Sequence, residues 1–236
     1  MDADRKNFTF DNWYKEIYKI KNNHNITLND IFDFDKITQY NGNNMICPRT
    51  IEEIEKNNSL SFIKKENIKR LIECSKNLEN SGFYPFRLSG DADYELKYDK
   101  EKAGKMHCLP NFSLIPVTCN LNIVKGQRQL FDFLNNDLGD YYINKDINHI
   151  PYRKWGKPYK DEKKNSEKMD LEKKALKAYL DIFDSIEEYC KVVYLVEKNT
   201  LSSLTAEEYW EKRKEITKSI IKEDLLCIDI SAECYK

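Results

Sequence analysis

The sequence predicts an α+β fold that is predominantly α-helical, with a small strand-bearing centre at about residues 83–138 flanked by N- and C-terminal helices. Three observations predict it. Apolar residues recur at helical spacing near the N-terminus and again beyond residue 167. Two short runs, Phe83–Leu88 and Phe112–Val117, have the length and aromatic or branched character of strands, and a polar stretch rich in Asp, Lys and Gly separates them. The resulting order of strand, loop, strand and helix inside a helical frame belongs to α+β rather than to regular strand–helix alternation.

Phe10, Trp13, Tyr14, Ile17 and Tyr18 form the stripe of a first helix that ends by Asn22. A second helix is expected over Ile26–Ile37, capped by Thr27 or Asn29, before a polar turn at Asn41–Asn44. Thr50 caps a short helix running to Asn57, and a longer helix follows over Phe62–Leu78 with Ile68, Leu71 and Ile72 on one side. Ser81-Gly82 stops it, and Ser89-Gly90-Asp91 turns the chain after the first strand. Leu130, Phe131, Phe133, Leu134 and Leu138 share a helical register. Tyr141–Asn165, with Pro151, Gly156 and Pro158, reads as irregular. From about Glu167 a helix is expected through Val196. A last one starts at the capping sequence Thr205 to Glu208, with Leu204 placed against Tyr209, and runs to about Asp224. Leu225–Ile230 is expected to be a short strand. The expected organisation is one domain over residues 1–236, divided into a helical part (1–82), the α+β centre (83–138), an irregular loop (139–166) and a helical part (167–236).

Lys and Arg total 39 against 40 Asp and Glu, so overall charge advertises neither nucleic-acid binding nor acidic mimicry; a nucleic-acid function needs a local patch. Apolar runs stop well short of the roughly 18 residues that span a membrane, the best being Val192–Val196, and the charged residues of Met1–Asn7 exclude a secretory signal. The expected location is cytoplasmic, with no membrane contact. Seven widely spaced cysteines without a CxxC pair read as free thiols. With only seven glycines and no Gly-rich phosphate loop, no nucleotide cofactor is expected.

The chemistry concentrates in Asp91–Arg128. The run Asn111-Phe-Ser-Leu-Ile-Pro-Val-Thr-Cys119-Asn120, followed by Lys125-Gly126 and Arg128, resembles the second half of an HNH endonuclease motif, in which an Asn opens a strand and a Cys-Asn pair begins a helix. The resemblance implies a divalent metal between a ββ-hairpin and a helix, polarising a scissile phosphate while a His deprotonates water. It implies catalytic positions at Asn111 and Asn120 and phosphate contacts at Lys125 and Arg128. His107, only four residues before Asn111, is a candidate catalytic His that would need a different loop path, and Asp91 and Asp93 are candidate metal ligands in a site that would draw on His107, Cys108 or Cys119. Where the motif has its Asp-His pair this chain has Asp93-Tyr94, and Tyr, with an ordinary pKa near 10, is a poor base at neutral pH; the centre therefore reads as degenerate. A second run, Gly104–Pro116 with the helix to Leu138, resembles bacterial proteins of no assigned activity.

Beyond the centre, Lys and Arg outnumber Asp and Glu in Arg153–Lys177, and Tyr152, Trp155 and Tyr159 are interleaved at its start. Stacking rings beside cations suit single-stranded nucleic acid, which nominates Tyr152, Arg153, Lys154 and Trp155 as contacts. The same residues suit a solvated helix face, and Asn111–Arg128 also suits a plain strand, turn and helix in which Asn120 and Asn122 satisfy backbone groups. The functional expectation is a nucleic-acid-associated protein with a degenerate HNH-like centre, from a phage-conflict or mobile-element setting. Two alternatives stand beside it: a non-enzymatic protein-binding module of inhibitor or immunity type, and a metal-dependent phosphodiesterase using His107.

Overall fold

A computed structural model describes residues 26–40, 43–79, 86–90, 112–116, 133–150, 162–201 and 206–218. The described chain is α+β and predominantly helical, with a small antiparallel sheet. Its elements are α1 (Leu28–Ile31), β1 (Phe32–Tyr40), β2 (Asn43–Pro48), α2 (Ile51–Lys56), α3 (Phe62–Glu79), β3 (Phe86–Gly90), β4 (Phe112–Pro116), α4 (Gly139–Asn144), α5 (Glu162–Leu180), α6 (Ile186–Tyr189), α7 (Lys198–Leu201) and α8 (Ala206–Lys218). A π-helical segment, Phe133–Leu138, runs directly into α4, and a second, Cys190–Tyr194, continues α6. The expected helices before residue 22 and the strand at 225–230 lie outside the described residues.

The four strands lie in the order β1-β2-β3-β4, all neighbours antiparallel. Half of this sheet comes from the region expected to be wholly helical, which corrects both the second helix over Ile26–Ile37 and the helical assignment of 1–82. Only one turn of that helix exists. Thr27 caps it, as expected: the Asp30 carboxylate accepts from the Thr27 N–H (2.8 Å) and hydroxyl (2.9 Å). From Phe32 the apolar period becomes two, with Phe32 and Phe34 fully buried, and a two-residue period belongs to a strand. Tyr40 pairs with Asn43, so Asn41-Gly42 is the whole connection, and Asn-Gly is the dipeptide favoured in two-residue hairpins. The β1–β2 register shifts between Phe32 and Ile37. There Asp33 accepts from the Asp35 N–H (3.0 Å) and pairs with Lys36 (2.7 Å). Burial alone would raise the Asp33 pKa, but those donors outweigh it and hold the carboxyl below its ordinary value.

Thr50 caps α2 as predicted, accepting from the Glu53 N–H (3.3 Å) while Glu53 returns a bond to the Thr50 N–H (2.8 Å). The helix over Phe62–Glu79 matches its expected span, and Ile68, Leu71 and Ile72 are buried on its inner side. It packs along α5, whose Leu176, Tyr179 and Leu180, with Phe183 just beyond the helix, join Phe32, Ile54 and Leu71 in one apolar cluster. β3 and β4 both exist. Ser89 and Gly90 belong to β3 itself rather than to a turn.

Two further corrections fall on the C-terminal half. Residues 139–166 are not an irregular loop throughout: Gly139–Asn144 is helical, Ile147–His149 forms a 3₁₀ turn, and α5 already begins at Glu162. The first turns of α5 are polar, so they carry no apolar stripe to announce a helix. Gly139 is buried where the π segment meets α4, and a Cβ there would come within 3.2 Å of the Leu134 carbonyl. The helix expected from Glu167 to Val196 is broken after Leu180 and restarts at Ile186. Ser185 caps the restart by accepting from the Glu188 N–H (3.2 Å), and Leu195 then leaves the helical run with a left-handed backbone, φ 61°. The last helix starts at Ala206, where the capping sequence places it, although Thr205 itself lies outside the described residues. Its Tyr209 is buried, and Ile216 packs partly buried against the core.

Substitutions in the two predicted helices should separate capping from packing. Thr50→Ala removes one cap and is expected to cost about 1 kcal/mol. Leu71→Ala opens a cavity between α3 and the core and is expected to cost about 2–5 kcal/mol. Urea unfolding followed by circular dichroism reads both; equal losses would contradict the burial assigned to Leu71.

Candidate functional site

β3 ends at Gly90, the residue before Asp91, and β4 begins at Phe112, the residue after Asn111. Their register pairs Gly90 with Phe112, so the sheet gathers the two ends of segment 91–111 at one rung. The candidate residues themselves, His107, Asn111 and Asn120, Asp91 and Asp93, and Lys125, Arg128, Tyr152, Arg153, Lys154 and Trp155, all lie outside the described residues. Among the described residues no group of three or more His, Cys, Asp or Glu side chains could hold a metal ion. Among them too, no helix is long and apolar enough to cross a membrane.

Within the described framework the densest polar chemistry surrounds the break between α5 and α6. Ending α5 leaves carbonyls without helical donors, and each such group has to be met by another element. Three donors do so: the Tyr142 hydroxyl bonds the Leu180 carbonyl (3.0 Å), Asn67 Nδ2 bonds that of Asp181 (2.6 Å), and Lys64 Nζ bonds that of Ile182 (3.0 Å). The Lys64 side chain is 6% exposed and also reaches both Glu188 oxygens at 2.9 Å; Glu188 is 16% exposed. Asp184 stands 3.3 Å from the same amine but is 77% exposed, so water screens that contact. Glu188 Oε2 additionally accepts from the Asp184 N–H (2.6 Å). Asp181 takes the Tyr141 hydroxyl (2.6 Å) on one oxygen and Lys177 (2.8 Å) on the other. These carboxylates are therefore committed to holding the chain. Their geometry builds a clamp between α3, α4 and the α5–α6 junction, not a nucleophile or a proton relay.

A row of rings leads away from the junction. Tyr179, Phe183, Tyr189, Tyr194 and Tyr209 meet edge to face, with centroids 5.2–6.5 Å apart, a spacing that aligns ring edges with ring faces. At its end the wholly buried Arg213 lies over the Tyr209 ring (5.5 Å) and donates to its hydroxyl (3.0 Å).

The described part of the predicted basic stretch ends beside α4. Lys145, left-handed at the α4 C-cap with φ 55°, sits 4.6 Å from the Tyr142 ring centre. Lys173 donates to Asn148 (3.0 Å) and Lys177 to Asp181, so both are occupied within the fold.

Sequence reasoning missed Lys64, Asn67, Tyr142 and Glu188. The signals were present. Lys64 falls in register with the buried Leu60, Ile68 and Leu71, and a cation on an apolar stripe needs an acceptor. Ser185 with Glu188 is a helix-start spacing inside an apparently continuous helix.

Comparison of the chain with protein-family models, with curated proteins and with solved structures finds no match.

Removing Lys64 leaves the partly buried Glu188 without its cation, so Lys64→Met is expected to lower stability by about 1–3 kcal/mol. Replacing both partners, Lys64→Met with Glu188→Leu, should recover part of that loss. Denaturant titration of the two variants decides it: a double variant no more stable than the single one would contradict the pairing.

A second expectation concerns alkaline pH. Burial, helped by the bond to Asp181, pushes the Tyr141 phenol well above its ordinary 10.0; burial likewise raises Tyr142 and Tyr194, and pushes the Cys190 thiol from 9.0 up to about 12. With raised folded values, the stability contributed by the neutral forms is complete below the ordinary values and is lost as pH climbs towards the folded ones. Each group then costs up to about 1.4 kcal/mol per pH unit. The unfolding midpoint should accordingly hold to about pH 9 and fall steeply above it. Tyr142→Phe should make that fall shallower, and an unchanged midpoint at about pH 11 would refute the assignment.

Proposed function

We propose that the chain is a nucleic-acid-associated protein whose centre is a degenerate HNH-like unit, and that it belongs to a phage-conflict or mobile-element setting. The observation that carries the reading is the pattern from Asn111 through Cys119-Asn120 to Lys125-Gly126 and Arg128. The antiparallel pairing of β3 with β4 supports it, because the motif is built on a ββ-hairpin and the rung Gly90–Phe112 joins the ends of the segment holding Asp91, Asp93 and His107. In this reading Asp91, Asp93, His107, Asn111 and Asn120 line an altered site; Asp91 and Asp93 are the positions to which a divalent metal would go. Lys125, Arg128, Arg153 and Lys154 meet phosphate, and Tyr152 and Trp155 offer rings to unpaired bases.

Binding of labelled single-stranded DNA, duplex DNA and RNA, measured at about 50 and 200 mM salt, tests it. Four phosphate contacts on a single strand correspond to about a fifty-fold loss of affinity between those concentrations. Arg128→Ala and Arg153→Ala should each weaken binding and flatten the salt dependence, whereas His107→Ala should leave affinity intact. Affinity absent at both concentrations, or indifferent to salt, would overturn the reading.

A non-enzymatic protein-binding module is favoured by a different observation: Phe62, Ile63 and Ile143 are large apolar side chains exposed to solvent, and such residues anchor protein interfaces. A tagged copy purified from its native cell should then retain a stoichiometric partner that Phe62→Ser with Ile63→Ser releases. A partner retained at full occupancy by that double variant would reject the assignment to this surface.

A further inference from the structure

We draw no further inference here: the strongest candidate, the exposed apolar side chains of Phe62 and Ile63 at the start of α3, carries nothing further because nothing in the structure shows what covers them.

Discussion

A lysine amine taken out of water must be given acceptors, and the amine of Lys64 receives them from the place where α5 stops being a helix. The two requirements satisfy each other. The break exposes the Ile182 carbonyl, and the restart at Ser185 turns Glu188 inward; neither group would lie near α3 if the helix ran on. Asn67 and Tyr142 complete the arrangement from two sides, so α3 and α4 are both tied to the same few residues of the α5–α6 junction. That tie sets how α6 and its π-helical continuation leave α5, and with it the course of the aromatic row from Tyr179 to Tyr209. The apolar cluster supplies most of the stability through buried area, but area is indifferent to direction. The polar clamp supplies the direction.

What the sequence disclosed follows from the range over which each signal acts. Thr50 and Glu53, or the Ile68, Leu71 and Ile72 stripe, act within one helix, and the structure repeats them nearly residue for residue. The β1–β2 hairpin was misread because Ile26–Ile37 supports two periods: Leu28 and Ile31 suit a helix, while Phe32 and Phe34 alternate with aspartates. One turn of helix followed by a strand uses both, and the short Asn41-Gly42 connection decides for the strand. The break at residues 181–185 was hidden for a different reason. Its cause lies in α3, more than a hundred residues earlier, since the Lys64–Glu188 bond spans a separation of 124. The apolar stripe does not identify that partner, and the local traces are the helix-start spacing of Ser185 with Glu188 and the cation of Lys64 in an apolar register.

The candidate centre was legible at the level of its strands and motif. Strands form over Phe86–Gly90 and Phe112–Pro116, each overlapping an expected run, and they pair with one another. Antiparallel pairing brings the ends of a long connection together whatever lies between them, so the meeting of Gly90 with Phe112 is what a hairpin-based site requires and also what an ordinary hairpin produces. The sheet therefore supplies a frame, and the chemistry rests on the residue types at its edge. On the proposed reading, an Asp-Tyr pair where a nuclease motif has Asp-His would favour holding a phosphate chain over cutting it.

Charge placement bears on how such holding would work. Phosphate recognition depends on local cations in excess of local carboxylates. In the described framework many lysines are already matched: Lys36 with Asp33, Lys64 with Glu188, Lys69 with Glu55 and Glu66, Lys177 with Asp181, Lys191 with Glu197. A phosphate competing for these would have to displace a carboxylate at each contact. Lys125, Arg128, Arg153 and Lys154 lie outside the described residues, and the proposed reading assigns phosphate to them rather than to these matched lysines. On the proposed reading a near-neutral chain binds nucleic acid on those terms: many lysines of the described framework are already matched by carboxylates, and a few arginines and lysines outside it would set both affinity and its sensitivity to salt.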